Sequence, residues 1–437
     1  MLNFFKNLSQ ILIFASNFVV RLFFIFLRIL KSAESPKNEP PKNFLQKQNC
    51  DNIFKQLNFS REVNFLFLSI FLFATALGIN FVIFPIVLNQ HQVDAAHIGL
   101  AFTIDSLGAC LISFFLSKIV ARFGMFNALK FSAFSYGAIV LLIYFYQNFY
   151  LWSLLAFLMG AFWFIYVITR QSWLNMLVKD NQRGVALGVF SMTISAGIAF
   201  GPVIVKFSGA ENYLSFVISA SMVIASFLCL LALKNKNQFQ IESKRISLLV
   251  FFKTNPRAFL ARFFLDFQSY LLLTFSVIFG VKIGLSNEAA GLLISAYMAS
   301  GFFDLLVGFL LKKISPYQMI NFGFLGCLSC FLAIIFFHNY LFLVITYFVF
   351  GISIACIYVS VFKAANESFA PKKIVAANST FQLIGSIGSI CGSFAGGLLF
   401  DIFGAIGFPI TMVLSCIFYL TFLVIYEKKF NQTWRKY

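Results

Sequence analysis

The chain has 437 residues, 60% of them hydrophobic and 11% charged, with 33 Lys and Arg against 15 Asp and Glu. Soluble domains carry about 25% charged residues, so this composition excludes a water-soluble globular protein and points to lipid as the surrounding solvent. The net charge of +18 follows from where the basic residues fall; they form no groove or patch of the kind nucleic acid requires.

Residues 1–31 come first. Asn3, Lys6, Gln10, Asn17, Arg21, Arg28 and Lys31 share an arc of about 80° on a helical wheel, and Phe4, Phe5, Leu8, Ile11, Phe18 and Phe23 lie elsewhere on it. This pattern predicts an amphipathic helix in the membrane interface. A thirteenth span or signal anchor is the competing reading. It would bury Arg21 near mid-span and carry the six basic residues of 31–62 outward, or reverse every later loop. No small-residue cleavage site is evident. Residues 32–62 are polar, contain Pro36, Pro40 and Pro41, and read as a cytoplasmic linker.

Twelve apolar runs follow, at 63–88, 98–117, 128–146, 149–170, 184–205, 213–233, 258–281, 290–311, 318–337, 340–362, 375–400 and 405–425. Each reaches the roughly 20 residues that cross a hydrocarbon core of about 30 Å, and spans of this kind are helices because lipid offers the backbone no other hydrogen-bond partner. The expected organisation is all-α and polytopic. A six-helix bundle occupies 63–233, a cytoplasmic loop 234–257, a second bundle 258–426 and a cytoplasmic tail 427–437. With the N-terminus in the cytoplasm, 31 of the 33 basic residues fall on the inner side, and only Lys206 and Lys282 lie outside. By the positive-inside rule both termini are expected in the cytoplasm, with the chain in a bacterial inner membrane and its basic residues facing anionic lipid heads.

The two halves resemble each other. Ile165-Tyr166-Val167 recurs as Ile357-Tyr358-Val359, and Gly197 and Gly201 recur as Gly388 and Gly392 at nearly the same offset. Chance likeness between apolar segments is the alternative, and the shared order and near-constant offset speak against it. In secondary transporters built from such repeats the substrate site lies between them near the midplane.

Several motifs resemble the major facilitator superfamily, over about 61–430. After the second run, that family carries a glycine, then Asp-Arg-x-Gly and basic residues. Here Arg122 and Gly124 match, Ser117 replaces the first glycine, and Ala121 replaces the Asp. The fifth run carries Gly188, Gly197, Gly201 and Pro202 and looks like the glycine-proline motif of the family's antiporters; Val205 and Lys206 stand where its final glycines would be. The stretch Gln171-Ser172-Trp173-Leu174-Asn175 is similar to a branch of bacterial exporters. The Arg found in the fourth span of many proton-coupled members would fall near Ala156. The resemblance implies two bundles rocking about a central cavity, a small organic substrate exchanged for protons or another coupling ion, and a monomer. Arg122, Gly124, Gly197, Gly201 and Pro202 would then act as gating or conformational elements.

Charge inside a membrane is a functional candidate by default. Asp105 is expected about 10 Å from the outer end of its span, Asp266 about 12 Å and Asp304 about 10 Å from the cytoplasmic ends of theirs. Each is a candidate proton or cation site. Arg262 lies one turn before Asp266 and offers it a salt bridge instead. Asp304 has neighbouring helix ends and loop lysines as alternative partners. Arg170 is expected to snorkel to the surface. Asn80, Tyr166, Gln268, Tyr270, Tyr297, Tyr358 and Gln382 are candidate cavity-lining groups, each with helix packing as the alternative role.

Cys327 and Cys330 form a CxxC inside a span without companion ligands, so packing is the expectation and no metal or other cofactor is implied. No GxxxxGK[ST] phosphate loop or HExxH occurs, and the chain does not read as an enzyme. The expected function is a secondary transporter, exporting in exchange for protons. An uptake symporter or facilitator, and a membrane receptor docking through its extension, are the alternatives.

Overall fold

The computed structural model describes residues 59–145, 149–178, 183–210, 212–231, 247–311, 313–369 and 374–434. The helix expected over 1–31 lies outside them, as does most of the linker. Among the described residues there is no strand. The first half comprises α1 (Arg61–Gln90), α2 (Ala95–Phe123), α3 (Met125–Phe145), α4 (Phe149–Leu177), α5 (Arg183–Ser208) and α6 (Tyr213–Leu231). The second comprises α7 (Leu248–Thr254), α8 (Pro256–Lys282), α9 (Asn287–Ala299), α10 (Phe303–Leu310), α11 (Pro316–Phe336), α12 (Tyr340–Glu367), α13 (Ile374–Phe403) and α14 (Gly407–Trp434).

Helix starts are written into short polar connections. Ser60, Asp94, Ser247, Asn255, Ser286, Ser315 and Asn339 each accept a backbone N–H of the first turn that follows, satisfying donors that have no partner within the helix. Ser315 and Gln318 close a reciprocal capping box. Because these connections are short, consecutive long helices run antiparallel. The bundle therefore has two faces, one bearing Asp94 and the other Gly124.

Among the described residues, eleven stretches are long and apolar enough to cross a membrane. The last, Thr380–Tyr426, has 47 residues. That is about 70 Å of helix at 1.5 Å per residue, and it holds two helices, α13 and α14, joined by a 3-10 turn at Gly404–Ile406 and packed on each other. Large side chains such as Phe131, Phe134, Phe336 and Phe418 lie exposed on the outside, which only a lipid environment makes favourable.

Several details depart from the sequence expectation, among them the end of α14, which continues to Trp434 through most of the expected tail. The run 290–311 is two helices, α9 and α10, separated by a 3-10 turn at Ser300–Phe302. The loop 234–257 contains α7, capped by Ser247. Helix α4 continues seven residues past 170, to Leu177.

The packing repeats between halves. α1 lies on α5 and α6, α2 on α4, and α3 on α4 and α6. In the second half α8 lies on α13 and α14, α9 and α10 on α12, and α11 on α12 and α14. The halves join along two equivalent seams, α2 with α13 and α5 with α9.

Candidate functional site

The seams are tightest toward the Asp94 face. The Asp401 carboxylate, at the end of α13, accepts the Ala96 N–H at 3.0 Å and so caps α2 from the other half. Gly99 faces the Ser393 carbonyl and Gly397, and Gly397 lies on Ala95 and Ala96. Deeper in, Thr103 donates to the Ile390 carbonyl at 3.4 Å. Across the second seam Ser295 donates to the Ala199 carbonyl at 2.7 Å. Further on, Ser191 donates to Asp304 at 3.4 Å.

A cavity of about 200 Å³ lies beside these seams, mostly within the first half. Helix α1 contributes Asn80, Phe81 and Phe84, and α4 contributes Trp152, Met159 and Trp163. Phe102 and Asp105 come from α2, Tyr136 from α3, and Tyr270 and Leu273 from α8 across the seam. Apolar and aromatic walls with a few polar groups are typical of small-molecule sites. No Lys, Arg or His lines this cavity among the described residues.

The polar groups in the wall are not equally free. Asn80 donates to the Tyr136 hydroxyl at 3.2 Å and accepts from Ser219 at 2.7 Å. Tyr270 meets Trp163 through its hydroxyl. Asp105 has no hydrogen bond or ion pair among the described residues. Its helix passes Gly160 of α4 so closely that a Cβ there would collide with the Asp105 backbone and crowd its carboxylate.

The other two acids are engaged. Arg262 holds Asp266 at 2.8 Å, donates to Gln382 Oε1 at 2.9 Å and lies over the Phe381 ring at 4.9 Å. Asp304 meets Ser191, and no loop lysine among the described residues. Tyr358 stands near this group and reaches Ser191, while Tyr297 donates to Ser269 at 3.3 Å. Gln268 is wholly buried between α8 and α14, donating to Ser415 and Cys416. Tyr166 stacks on Phe73 at 3.8 Å and bonds to Ser226. Of the ten candidate residues, Asn80, Asp105 and Tyr270 are thus gathered at the cavity, and the other seven are not.

Arg170 does not snorkel. It is buried, its Cζ 3.7 Å from the Tyr166 ring centroid, and it donates to Ser69 at 2.7 Å. The extra turns of α4 place it about 10 Å from the helix end, too deep to reach the surface. The sequence reading also passed over Trp152, Trp163, Phe81 and Tyr136. Each looks like ordinary apolar patterning, and only their convergence marks them. Cys327 and Cys330 are buried free thiols of α11.

Two segments, 66–265 and 258–434, match the family described as Major Facilitator Superfamily. The chain belongs to the major facilitator superfamily. It is 22% identical over 351 residues to the uncharacterized MFS-type transporter YfkF of Bacillus subtilis, covering 77% of this chain and 88% of the relative. The nucleoside transporter NupG superposes with a TM-score of 0.69 at 13% identity, over 85% of this chain and 99% of that one. A bacterial homolog of the human lysosomal transporter Spinster, in an inward-facing and occupied conformation, gives 0.66 at 16% identity, over 82% and 94%. At such identities these structures establish the superfamily fold. The protein is a multi-pass membrane transporter of the secondary type with a small-molecule substrate.

The positions that resemble superfamily landmarks sit at contacts between helices or at turns. Gly124 ends α2 with φ of 81°, a conformation that glycine adopts without strain. Arg122 is exposed beside Phe123. Gly197 and Gly201 bring α5 onto α1, where a Cβ at either would strike the α1 backbone. Pro202 has no N–H for the Ile198 carbonyl one turn back, and that freed oxygen lies against Gly78 of α1. Gly388 and Gly392 repeat the arrangement against the Phe263 and Phe267 carbonyls of α8.

Proposed function

We propose that this transporter couples proton movement to export of a small organic compound, with the Asp105 cavity as the exchange site. Asp105 carries the proposal: it is a carboxylate in a largely apolar wall, without a partner among the described residues. An ionised carboxylate removed from water is costly unless compensated. A bound proton or a bound cation supplies the compensation, and unequal affinity of two conformations for the proton supplies the coupling. Asp266 and Asp304 suit this role less, since Arg262 and Ser191 already engage them.

The basic residues favour placing the Gly124 face in the cytoplasm. In that orientation the joined seams seal the outer side. The glycine-proline run of α5, similar to that of antiporters, supports export. Asp94, at the outer face, is not the source of a pH profile near neutrality. Burial raises its pKa, but the His97 amide and ring outweigh that and hold it below the usual 3.8. A carboxyl depressed in this way stays charged across pH 5–8 and loses its stabilising bonds only as pH falls through that lowered value.

Everted membrane vesicles with an imposed proton gradient provide the test. In a screen of organic compounds, at least one is expected to accumulate only when the vesicle interior is acid, and an uncoupler abolishes this. Asp105→Asn should remove the gradient dependence. Undiminished gradient-driven accumulation in that variant rules Asp105 out as the proton site. Accumulation only with the opposite gradient makes the protein an uptake symporter.

A further inference from the structure

From the chemistry of the cavity wall we infer that the substrate is an organic monocation, an amine or quaternary ammonium with an apolar body, seated against Asp105 among aromatic rings. The inference rests on the reading of this cavity as the transport site and goes on to name what it recognises.

Four properties of the wall lead to it. The charge is negative and single: Asp105 is the one ionisable acid lining the cavity, and no basic side chain is there to receive an anion among the described residues. The titratable groups facing Asp105 are the Tyr136 hydroxyl from α3 and the Tyr270 hydroxyl from α8. The wall is aromatic, with rings from Phe81, Phe84, Phe102, Trp152 and Trp163, and ring faces attract cations in a desolvated site. Finally, little hydrogen-bonding capacity is left beyond the Asp105 carboxylate and the Tyr136 O–H. Both ends of the Asn80 amide are engaged, one of them by Tyr136. A sugar or nucleoside would have to leave several hydroxyls unpaired in an apolar wall, which penalises it heavily. A monocation needs one carboxylate and ring faces, and the wall supplies both. Proton and cation then compete for one carboxylate, so binding one displaces the other.

Binding of tritiated benzyltrimethylammonium, a permanent cation, to the purified full chain in detergent tests this. Saturable binding is expected, one proton should be released per cation bound at mildly acid pH, and apparent affinity should fall as pH falls. A hundredfold excess of N,N-dimethylbenzamide, of similar size but uncharged, should not displace the label, and neither should uridine. Asp105→Asn should weaken binding more than tenfold. Phe81→Leu, which keeps the charge, should weaken it about three- to tenfold and carries the test if the Asn variant fails to fold. Displacement by either uncharged compound, wild-type affinity in both variants, or no cation binding at all overturns the inference. Cation binding without gradient-driven accumulation in vesicles leaves the substrate class standing and overturns the export reading. Gradient-driven accumulation of uncharged compounds alone does the reverse.

Discussion

Asp105, Asp266 and Asp304 look equivalent as letters, each one acid in an apolar run. Their neighbours from other helices separate them. One partner was readable: Arg262 precedes Asp266 by four residues, a spacing that puts both on one helix face. Gln382 and Phe381, which complete the clamp on Arg262, come from α13 and leave no local trace. Arg170 shows the opposite failure. Its burial depends on where α4 ends, and helix ends are the least legible feature of a sequence. The Arg262–Asp266 pair makes a direct prediction. Arg262→Met leaves a buried carboxylate uncompensated, which costs about 3–5 kcal/mol. Arg262→Met with Asp266→Leu removes both charges and should recover most of that loss. Thermal unfolding of the purified variants in detergent reads the difference. Equal destabilisation of single and double variants would show that the pair's attraction is not what matters.

At the scale of helices, the apolar runs were legible because lipid forces the backbone of a spanning segment into helix. The contacts between helices were not. Gly197, Gly201 and Pro202 were visible as a motif, but Gly78, which receives the carbonyl freed by Pro202, was not. The break at Ser300–Phe302 was hidden too. Ser-Gly is a weak breaker in sequence, and the turn lies where Gly301 meets Ser195 and Gly351 meets Ser300. Packing therefore decides which glycines are replaceable. Gly78→Val places a side chain into the Ile198 backbone and is expected to prevent α1 and α5 from docking, so that little folded protein is recovered. Gly308→Ala in α10, where nothing stands within 4 Å, should be tolerated and gain about 0.5–1 kcal/mol from helix propensity. Size-exclusion profiles and melting temperatures compare the two. A folded Gly78→Val chain with wild-type stability would mean that the α1–α5 approach is not constrained.

For the whole molecule, the internal repeat in the sequence corresponds to an observed repeat in packing, with two seams related by the same pairing rule. The cavity was not foreseeable in this position. The expectation was a site shared between halves, whereas five of the six helices lining the cavity belong to the first half, and only Tyr270 and Leu273 of α8 reach in from the second. The second half thus touches the cavity through α8, beside the seam that must open in alternating access. That seam is held by few polar bonds. Asp401 on the Ala96 amide is an anion at a helix N-terminus, a contact typically contributing about 0.3–1 kcal/mol, and Gly99 and Gly397 add close approach without interlocking side chains. A joint of this kind is easily parted and easily reformed. Cysteines at 96 and 401, bridged by a short reducible bis-methanethiosulfonate reagent, should hold the Asp94 face closed. Transport in vesicles is then expected to fall at least tenfold and to return on reduction, while the single-cysteine variants transport normally after the same treatment. Unimpaired transport in the bridged protein would mean that the α2–α13 seam stays shut throughout the cycle, and that the cavity empties by another route.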